Sequence, residues 1–252
     1  MHRFTTIHNL RDYGGYRSTD GRQLRSAVLF RSGQLSDADA DELAGIDALS
    51  LQAVIDLRGD RERHEHPFII PPSASYRLLH AQGGMEDAPH LSGRFAHMQD
   101  VAEVRAGMTA FYTQMPFIPE CQAAFRVYLG ALAHNQGPSL VHCFAGKDRT
   151  GFAVALLHSL LGVHADDRMA DYLKTNETGE ARVEAGIASM RHKHGMDINE
   201  AAFREVMMVR AEYLESAFKA LDNTVGGFAR YVVDTLKLPD TAINSIRQHY
   251  LD

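Results

Sequence analysis

The stretch VHCFAGKDRTG, residues 141–151, joins an apolar run to a helical one through a cysteine. Leucine and valine precede the cysteine, a glycine, a lysine and an arginine follow it, and FAVALLHSLLG continues from residue 152. A short apolar run bounded by turn residues is typical of a buried strand, and the segment after the loop has helical length and composition. The pattern therefore predicts a strand, a tight loop and a helix that begins near Arg149.

The loop between this strand and helix has the composition of an anion site. Residues 144–149 lie where a turn directs successive backbone N–H groups at one point, beside the positive end of the helix. Gly146 permits a backbone conformation that larger residues resist, and Arg149 offers a planar fork for two phosphate oxygens. The inward-facing N–H groups, the helix end and the arginine together stabilise a thiolate. We therefore expect Cys143 to attack phosphorus. Thr150 can donate its hydroxyl to that sulfur.

Other interpretations of Cys143 are weaker. A free cysteine is usually a small buried hydrophobic residue, but here the Cys-x5-Arg spacing comes with a preceding histidine, an internal glycine and a following Thr-Gly. The GKDRT segment does not predict a nucleotide-binding phosphate loop, because the leading glycine of that motif is missing. Neither a second cysteine nor an ordered histidine spacing accompanies Cys143, so we expect no metal.

Composition and charge limit the classes of partner. The 252 residues are 45% hydrophobic and 23% charged, as in a globular domain with a full core. A net charge of −6 gives no general attraction to nucleic acid or to an anionic membrane, so local cations must hold any anionic ligand. Two cysteines are too few for a disulfide framework, and we recognise neither a secretory signal nor a membrane-inserting stretch. We expect a soluble, cytoplasmic protein, with secretion without a signal peptide as the alternative.

The order of predicted elements defines the fold class. We find no repeat, low-complexity segment or linker, so one domain over residues 1–252 is expected. A helix over 36–46 is predicted to open with a serine cap, and helical patterns dominate from about residue 100. The predicted strands are 26–32, 51–58, 75–81 and 137–143. Short buried strands alternating with helices predict an α/β fold with a central, mostly parallel sheet flanked by helices.

HCFAGKDRTG resembles the signature loop of the cysteine-dependent phosphatase superfamily, and more narrowly that of an atypical bacterial group. Members of that group act on phosphotyrosine and, in some cases, on phosphoserine, phosphothreonine and phosphoinositides. Four other segments are similar to recurring segments of the group: NLRDYGGY (9–16), LFRSGQLS (29–36), VIDLRGDRERHEHP (54–67) and MADYLKTNE (169–177). The resemblance implies a phosphatase domain that needs no metal or cofactor and carries additional helices after the signature helix.

The activity implied by the resemblance is phosphomonoester hydrolysis through a cysteinyl-phosphate intermediate. A phosphotyrosine protein is the expected substrate, with phosphoserine, phosphothreonine or a phosphoinositide as further candidates. Cys143 would be the nucleophile and Arg149 the stabilising cation. The residues expected around the phosphate are Phe144, Ala145, Gly146, Lys147, Asp148 and Arg149. Two alternatives stay open: a rhodanese-like sulfurtransferase and a catalytically inactive phosphate-binding module.

The general acid is assigned through the resemblance. The chain contains no tryptophan, so the Trp-Pro-Asp loop of most phosphatases in the superfamily is absent in its literal form. The atypical group is thought to use an aspartate inside the signature loop, which here is Asp148. Its alternative role is a solvated carboxylate that caps the helix and offsets two cations. Asp56 is the rival acid, because it ends a strand where α/β active sites gather, but a structural pairing with a nearby arginine is favoured.

Several polar residues near the motif have two interpretations. His142 is expected to orient the loop by hydrogen bonding rather than to transfer protons. Phe144 either lines the pocket or packs. Lys147 is either an exposed lysine or a second cation for a substrate with more than one phosphate. The segment 57–67 could add three further cations, Arg58, Arg61 and Arg63. Interleaved acidic residues favour a mixed solvated face there; they are Asp60, Glu62 and Glu65.

Methionine is frequent in residues 190–208. A flexible, Met-rich apolar surface suits either a plain helix interface or a lid that packs and unpacks over a pocket. The resemblance implies such a helical lid over about residues 178–215. Two histidines nearer the N-terminus, His64 and His66, are not accompanied by a set of carboxylate or cysteine ligands that would suggest a metal site.

Overall fold

A five-stranded sheet forms the centre of the fold in the computed structural model, which describes residues 4–69, 76–82, 100–194 and 199–252. The strands are β1 (Arg11–Asp12), β2 (Leu29–Ser32), β3 (Ala53–Asp56), β4 (Arg77–His80) and β5 (Ser139–His142). Their order across the sheet is β1-β2-β5-β3-β4. β1 is antiparallel to β2, and the other neighbouring pairs are parallel. The central strand is therefore the one whose carboxyl end carries the cysteine loop.

Helices surround this sheet. In the described ranges they are α1 (Ala40–Asp47), α2 (Asp60–Glu65), α3 (Val101–Gln114), α4 (Pro119–His134), α5 (Asp148–Leu160), α6 (Ala165–His194), α7 (Glu200–Met207), α8 (Ala211–Val225), α9 (Phe228–Arg230) and α10 (Asp240–Tyr250). A 3-10 turn, Met115–Phe117, precedes α4, and a π-helical turn, Tyr231–Thr235, follows α9. In the described part of the chain, no helix combines the length and apolar composition needed to cross a membrane.

Alternation along the strands explains how one sheet contributes to two cores. Phe30, Val54 and Leu140 point into a smaller core with residues of the α1 region. Their strand neighbours pack into the larger core with α4 and α5; they are Leu29, Ala53, Ile55 and Val141. Because both faces of the three inner strands are covered, each of them carries a short continuous apolar run, at residues 29–30, 53–55 and 140–141. This burial fixes the sheet and the loops at its carboxyl edge.

The predicted α/β class with a mostly parallel sheet is confirmed. The four predicted strands are present, each shorter than its predicted range, and helices follow the cysteine loop as predicted. The predicted cap of the first helix is wrong: Asp39, not Ser36, accepts the hydrogen bond from the Glu42 backbone N–H at 2.9 Å. A helix also occupies residues 60–65, where only a solvated segment was expected.

Candidate active site

The cysteine loop turns sharply between His142, the end of β5, and Asp148, the start of α5. Gly146 adopts a φ of +65°. A Cβ atom at this position would overlap the backbone of Ser32 and Gly33. The turn therefore requires glycine both for its left-handed conformation and for the close approach of β2.

The loop carbonyls are held on the outer side of the turn. Gly146 O accepts hydrogen bonds from Arg31 Nη2 at 2.9 Å and from Asn9 Nδ2 at 2.6 Å. Phe144 O accepts one from the backbone N–H of Gln34 at 3.0 Å. In a trans peptide the N–H points opposite to the C=O. The amides that follow these carbonyls consequently face the concave side, as an anion-binding nest requires.

A buried ion cluster supports these outer contacts. Asp171 of α6 accepts from Arg31 Nη1 at 2.9 Å and from Arg11 Nε at 3.4 Å. The Asp171 backbone carbonyl also accepts from Arg11 Nη2 at 2.8 Å. Burial alone would raise the pKa of Asp171, but the two guanidinium groups outweigh burial and lower the pKa below its usual value. The carboxylate therefore stays charged and holds the arginine that binds the loop.

Arg149 is almost fully buried, at 4% exposure, and is held by Glu62 of α2. Its Nη1 and Nη2 donate to the two carboxylate oxygens at 2.5 and 2.6 Å, and Nη1 also donates to Leu57 O at 3.2 Å. Burial would lower the pKa of Arg149, but attraction to Glu62 raises the pKa above its usual value. Among the described residues, Nε of Arg149 and the second hydrogen of its Nη2 have no partner. This edge of the guanidinium group can therefore donate two hydrogen bonds to an oxyanion.

Glu62 was expected on a mixed solvated face, and that expectation is wrong for this residue. It is fully buried, and its Oε2 also accepts from the Gly59 backbone N–H at 2.9 Å. The expectation holds for the exposed pair Arg61–Glu65, which is joined at 2.8 Å. Arg63 binds Asp60, whose side chain is exposed.

Cys143 lies at the floor of the loop and is 2% exposed. Thr150 is buried in the first turn of α5, and its Oγ1 has no hydrogen-bond partner in the described ranges. Such a buried hydroxyl is unusual unless it binds something during function. It lies within the first turn of the helix that follows the cysteine loop, which fits the expected role towards the sulfur.

His142 is fully buried beneath the loop. Its Nδ1 lies 3.2 Å from the Cys143 carbonyl oxygen, and Phe68 stacks on its ring with centroids 5.6 Å apart. Burial lowers the pKa of His142, and the nearby Asp56 only partly opposes this effect. A neutral, packed imidazole fits an orienting role.

Asp56 forms a buried pair with Arg58. Its oxygens accept from Arg58 Nε at 3.0 Å and Nη2 at 2.8 Å, and from the Arg58 backbone N–H at 2.9 Å. Burial would raise the pKa of Asp56, but His142 and Arg58 together lower it. A carboxylate held in its charged form by an arginine is poorly suited to donate a proton. Arg58 is thus a partner for Asp56 rather than part of an exposed cationic patch.

Asp148 is the carboxylate that opens α5 at the mouth of the loop. Its Oδ1 accepts from the Tyr112 hydroxyl at 2.8 Å and lies 3.5 Å from Lys147 Nζ. Within the described residues its side chain accepts no backbone N–H, so the expected capping alternative has no support. Its side chain is 15% exposed, which leaves access to a ligand.

Lys147 is not the exposed lysine that one interpretation predicted. It is 6% exposed, and its Nζ donates to the backbone carbonyl of Val206 in α7. The cation therefore joins the cysteine loop to α7. Phe144, on the other side of the loop, packs edge-on against His66 with ring centroids 5.3 Å apart.

The predicted lid, residues 178–215, corresponds to the end of α6, α7 and the start of α8, with residues 195–198 outside the described part. Glu205 ties α7 to its neighbours: it accepts from Arg105 of α3, from Arg210 and from the Tyr213 hydroxyl of α8. Burial would raise the pKa of Glu205, but these hydrogen bonds lower it to about 2. α7 is thus held to its neighbours by a charged cluster.

Among the described residues, no group of three or more His, Cys, Asp or Glu side chains could hold a metal ion. Three buried carboxylates near the loop are paired with arginines: Asp56 with Arg58, Glu62 with Arg149 and Asp171 with Arg31.

Several residues of the site were missed by the sequence-based assignment. They are Asn9, Arg11, Arg31, Glu62, Tyr112 and Asp171. All but Tyr112 lie in the four segments that resemble the phosphatase group, so membership of those segments was the available signal. Tyr112 lies in a helix whose pattern signalled only a buried face.

Comparison with known proteins shows the family of the chain. Residues 2–252 match the family described as the tyrosine phosphatase family. The chain is 34% identical to a Cupriavidus necator protein provisionally named a tyrosine-protein phosphatase, over 98% of this chain and 87% of that protein. It is 32% identical to the triple specificity protein phosphatase PtpB of Mycobacterium tuberculosis, over 89% of this chain and 91% of that protein.

The chain belongs to the tyrosine phosphatase family. The predicted enzyme class, a protein-tyrosine phosphatase, is thereby confirmed over the sulfurtransferase alternative. A phosphorylated substrate follows from this class.

Proposed function

We propose that the 252 residues form one phosphatase domain in which Cys143 attacks the phosphorus of a phosphomonoester. The S–P bond forms as the P–O bond to the leaving group breaks, which gives a cysteinyl phosphate. Arg149 and the inward-facing loop amides stabilise the charge on the equatorial oxygens. The observation that carries this proposal is the arginine itself, which Glu62 holds by one edge while the other edge has no partner among the described residues.

Asp148 supplies the proton in this scheme. Its carboxylic acid protonates the leaving oxygen as the P–O bond breaks, and its carboxylate then takes a proton from the water that attacks the cysteinyl phosphate. The Cys143 thiolate leaves, inorganic phosphate is released, and the hydroxyl of Thr150 stabilises the departing sulfur. Asp56 is the weaker candidate for this role, because Arg58 already donates to both of its oxygens.

The substrate proposal begins with phosphotyrosine and extends to phosphoserine, phosphothreonine and phosphoinositides. The Mycobacterium tuberculosis relative is named a triple specificity protein phosphatase, which supports a site that accepts more than one phosphomonoester. Lys147 adds a second cation beside Arg149, and it would become available to a second phosphate if α7 moved away. The lid role of residues 178–215 and the cytoplasmic location stay predictions.

The test is turnover by a Cys143→Ser variant of the full chain. We expect hydrolysis of para-nitrophenyl phosphate to fall to background while inorganic phosphate still binds, because the nest and the arginine remain. A near wild-type rate would refute the scheme. A wild-type protein that binds phosphate but shows no single turnover would instead support the inactive phosphate-binding module. Specific activity on a matched panel of phosphopeptides and phosphoinositides then ranks the substrates.

A further inference from the structure

Two buried tyrosine hydroxyls form a chain that ends on Asp148. The Tyr172 hydroxyl of α6 donates to the Tyr112 hydroxyl of α3 at 2.8 Å, and the Tyr112 hydroxyl donates to Asp148 Oδ1 at 2.8 Å. Both tyrosines are at most 1% exposed. Burying two hydroxyls away from water is costly unless each finds a partner. Here the final partner is a single carboxylate oxygen at the mouth of the cysteine loop.

The rings that carry these hydroxyls cannot readily move. Tyr112 packs edge-on against Tyr172 with centroids 6.2 Å apart, and against Tyr213 of α8 at 5.6 Å. Tyr172 in turn lies against the first turn of α5, where a Cβ at Gly151 would come within 2.9 Å of its ring. Gly151 therefore leaves room for Tyr172, which supports Tyr112. Helices α3, α6 and α8 thus hold the Tyr112 hydroxyl next to Asp148.

The hydroxyls remain donors over the working pH range of the enzyme. Burial first, and the nearby Asp148 charge second, raise the pKa of Tyr112 and the pKa of Tyr172 well above the usual value for tyrosine. A protonated Tyr112 can only donate to an ionised carboxylate. Oδ1 of Asp148 is therefore already an acceptor for Tyr112, whereas Oδ2 of Asp148 makes no hydrogen bond to a described residue.

We infer that Tyr112, supported by Tyr172, is a positioning residue that selects Oδ2 of Asp148 as the proton-carrying atom. This inference rests on the proposed function, in which Asp148 is the general acid. As the S–P bond forms and the P–O bond breaks, the proton passes from Oδ2 to the leaving oxygen. The carboxylate that results keeps its hydrogen bond from Tyr112, which stabilises the new negative charge. In hydrolysis of the cysteinyl phosphate the same oxygen takes the proton back from water.

The test compares leaving groups in a Tyr112→Phe variant of the full chain. The phenolate of phenyl phosphate needs the proton in the transition state, whereas the para-nitrophenolate of para-nitrophenyl phosphate departs almost unaided. We expect kcat/KM for phenyl phosphate to fall on the order of 10- to 100-fold, as for a lost hydrogen bond to a charged group. The loss for para-nitrophenyl phosphate should be much smaller. Equal losses on both substrates, or no loss, would overturn the inference.

Two further variants separate positioning from folding. Tyr172→Phe should show the same selective loss in weaker form, since it removes the support and leaves the hydroxyl of Tyr112. Tyr250→Phe is the matched control, because its buried hydroxyl donates to Asn135 O at 2.7 Å and not to Asp148. It should leave the ratio of the two substrates unchanged. A comparable shift in that ratio for Tyr250→Phe would mean that any buried hydroxyl has this effect, and the inference would fail.

A double-mutant cycle gives the decisive readout. If Tyr112 acts through Asp148, Tyr112→Phe should cost nothing more once Asp148→Asn is present. Full additivity of the two losses would overturn the positioning role even if each variant is impaired. Failure of the proposed function would look different: Cys143→Ser would remain active, or Asp148→Asn would show no dependence on the leaving group.

Discussion

Glu62 binds Arg149 through both guanidinium nitrogens, at 2.5 and 2.6 Å, although the two residues lie on different helices. The pair is fully enclosed, with side-chain exposures of 0% and 4%. Water therefore does little to screen it, and the carboxylate determines where the arginine points. The cation of the loop is held ready for phosphate by a residue outside the loop.

Glu62→Gln should therefore impair both stability and catalysis. The amide keeps the shape but leaves the buried arginine without its counter-charge, which costs about 3–5 kcal/mol when a buried pair is broken. We expect a lower free energy of unfolding in urea and a fall in kcat/KM of about 10-fold or more. Glu65→Gln is the control, because its partner Arg61 is exposed, and it should change either quantity little. Similar effects of the two variants would contradict the assigned role of Glu62.

Gly146→Ala should destroy the loop geometry. A φ of +65° strains a residue with a Cβ, and the added atom would overlap β2. We expect activity to be lost and stability to fall by about 1–3 kcal/mol. Gly130→Ala, in the middle of α4 where nothing lies within 4 Å of a Cβ, should instead gain about 0.5–1 kcal/mol. A fully active Gly146→Ala protein would rule out the described turn.

Glu205 gives a prediction of pH dependence. Its pKa in the folded protein is lowered to about 2 from its usual value of 4.5. A lowered folded-state pKa adds stability above the unfolded pKa, and this stability is lost as the pH falls through the folded pKa. The stability difference between wild type and Glu205→Gln should thus be greatest near neutrality and shrink between about pH 4.5 and 2. Urea unfolding of both proteins at several pH values measures this stability difference. A stability difference that does not change with pH would contradict the charged cluster.

The two candidate acids can be separated by leaving group. Asp148→Asn should reduce hydrolysis of phosphotyrosine peptides by about 10²–10⁴ and that of para-nitrophenyl phosphate far less. Asp56→Asn should instead lower the free energy of unfolding, because Arg58 loses a charged partner, without changing the dependence on leaving group. If Asp56→Asn changes that dependence and Asp148→Asn does not, the assignment of the acid is wrong.

Local features of the fold were predictable because they depend on neighbouring residues. The strand before Cys143, the turn at Gly146 and the helix from Asp148 follow from spacing and residue type within one short stretch. The sheet was likewise predictable from short apolar runs. The two-residue strand β1 was not, since its pairing with β2 leaves no hydrophobic pattern.

Long-range pairing is what the sequence does not reveal. Arg31 and Asp171 are 140 positions apart, and Glu62 and Arg149 are 87 apart. The sequence does not distinguish a glutamate that becomes buried beside an arginine from one that stays in water. Glu62 was therefore interpreted as part of a solvated face. Lys147 was ambiguous for the same reason, because its partner is a backbone carbonyl in α7.

The central claim is that the reaction passes through phosphorylated Cys143. Rapid acid quenching of the full chain with a phosphotyrosine peptide, followed by peptide mass spectrometry, tests it directly. We predict one phosphoryl adduct on the peptide that contains Cys143, accumulating in Asp148→Asn with an activated aryl phosphate because hydrolysis of the intermediate is slowed. An adduct on another residue, or steady turnover with no trapped phosphoenzyme in either protein, would contradict the account.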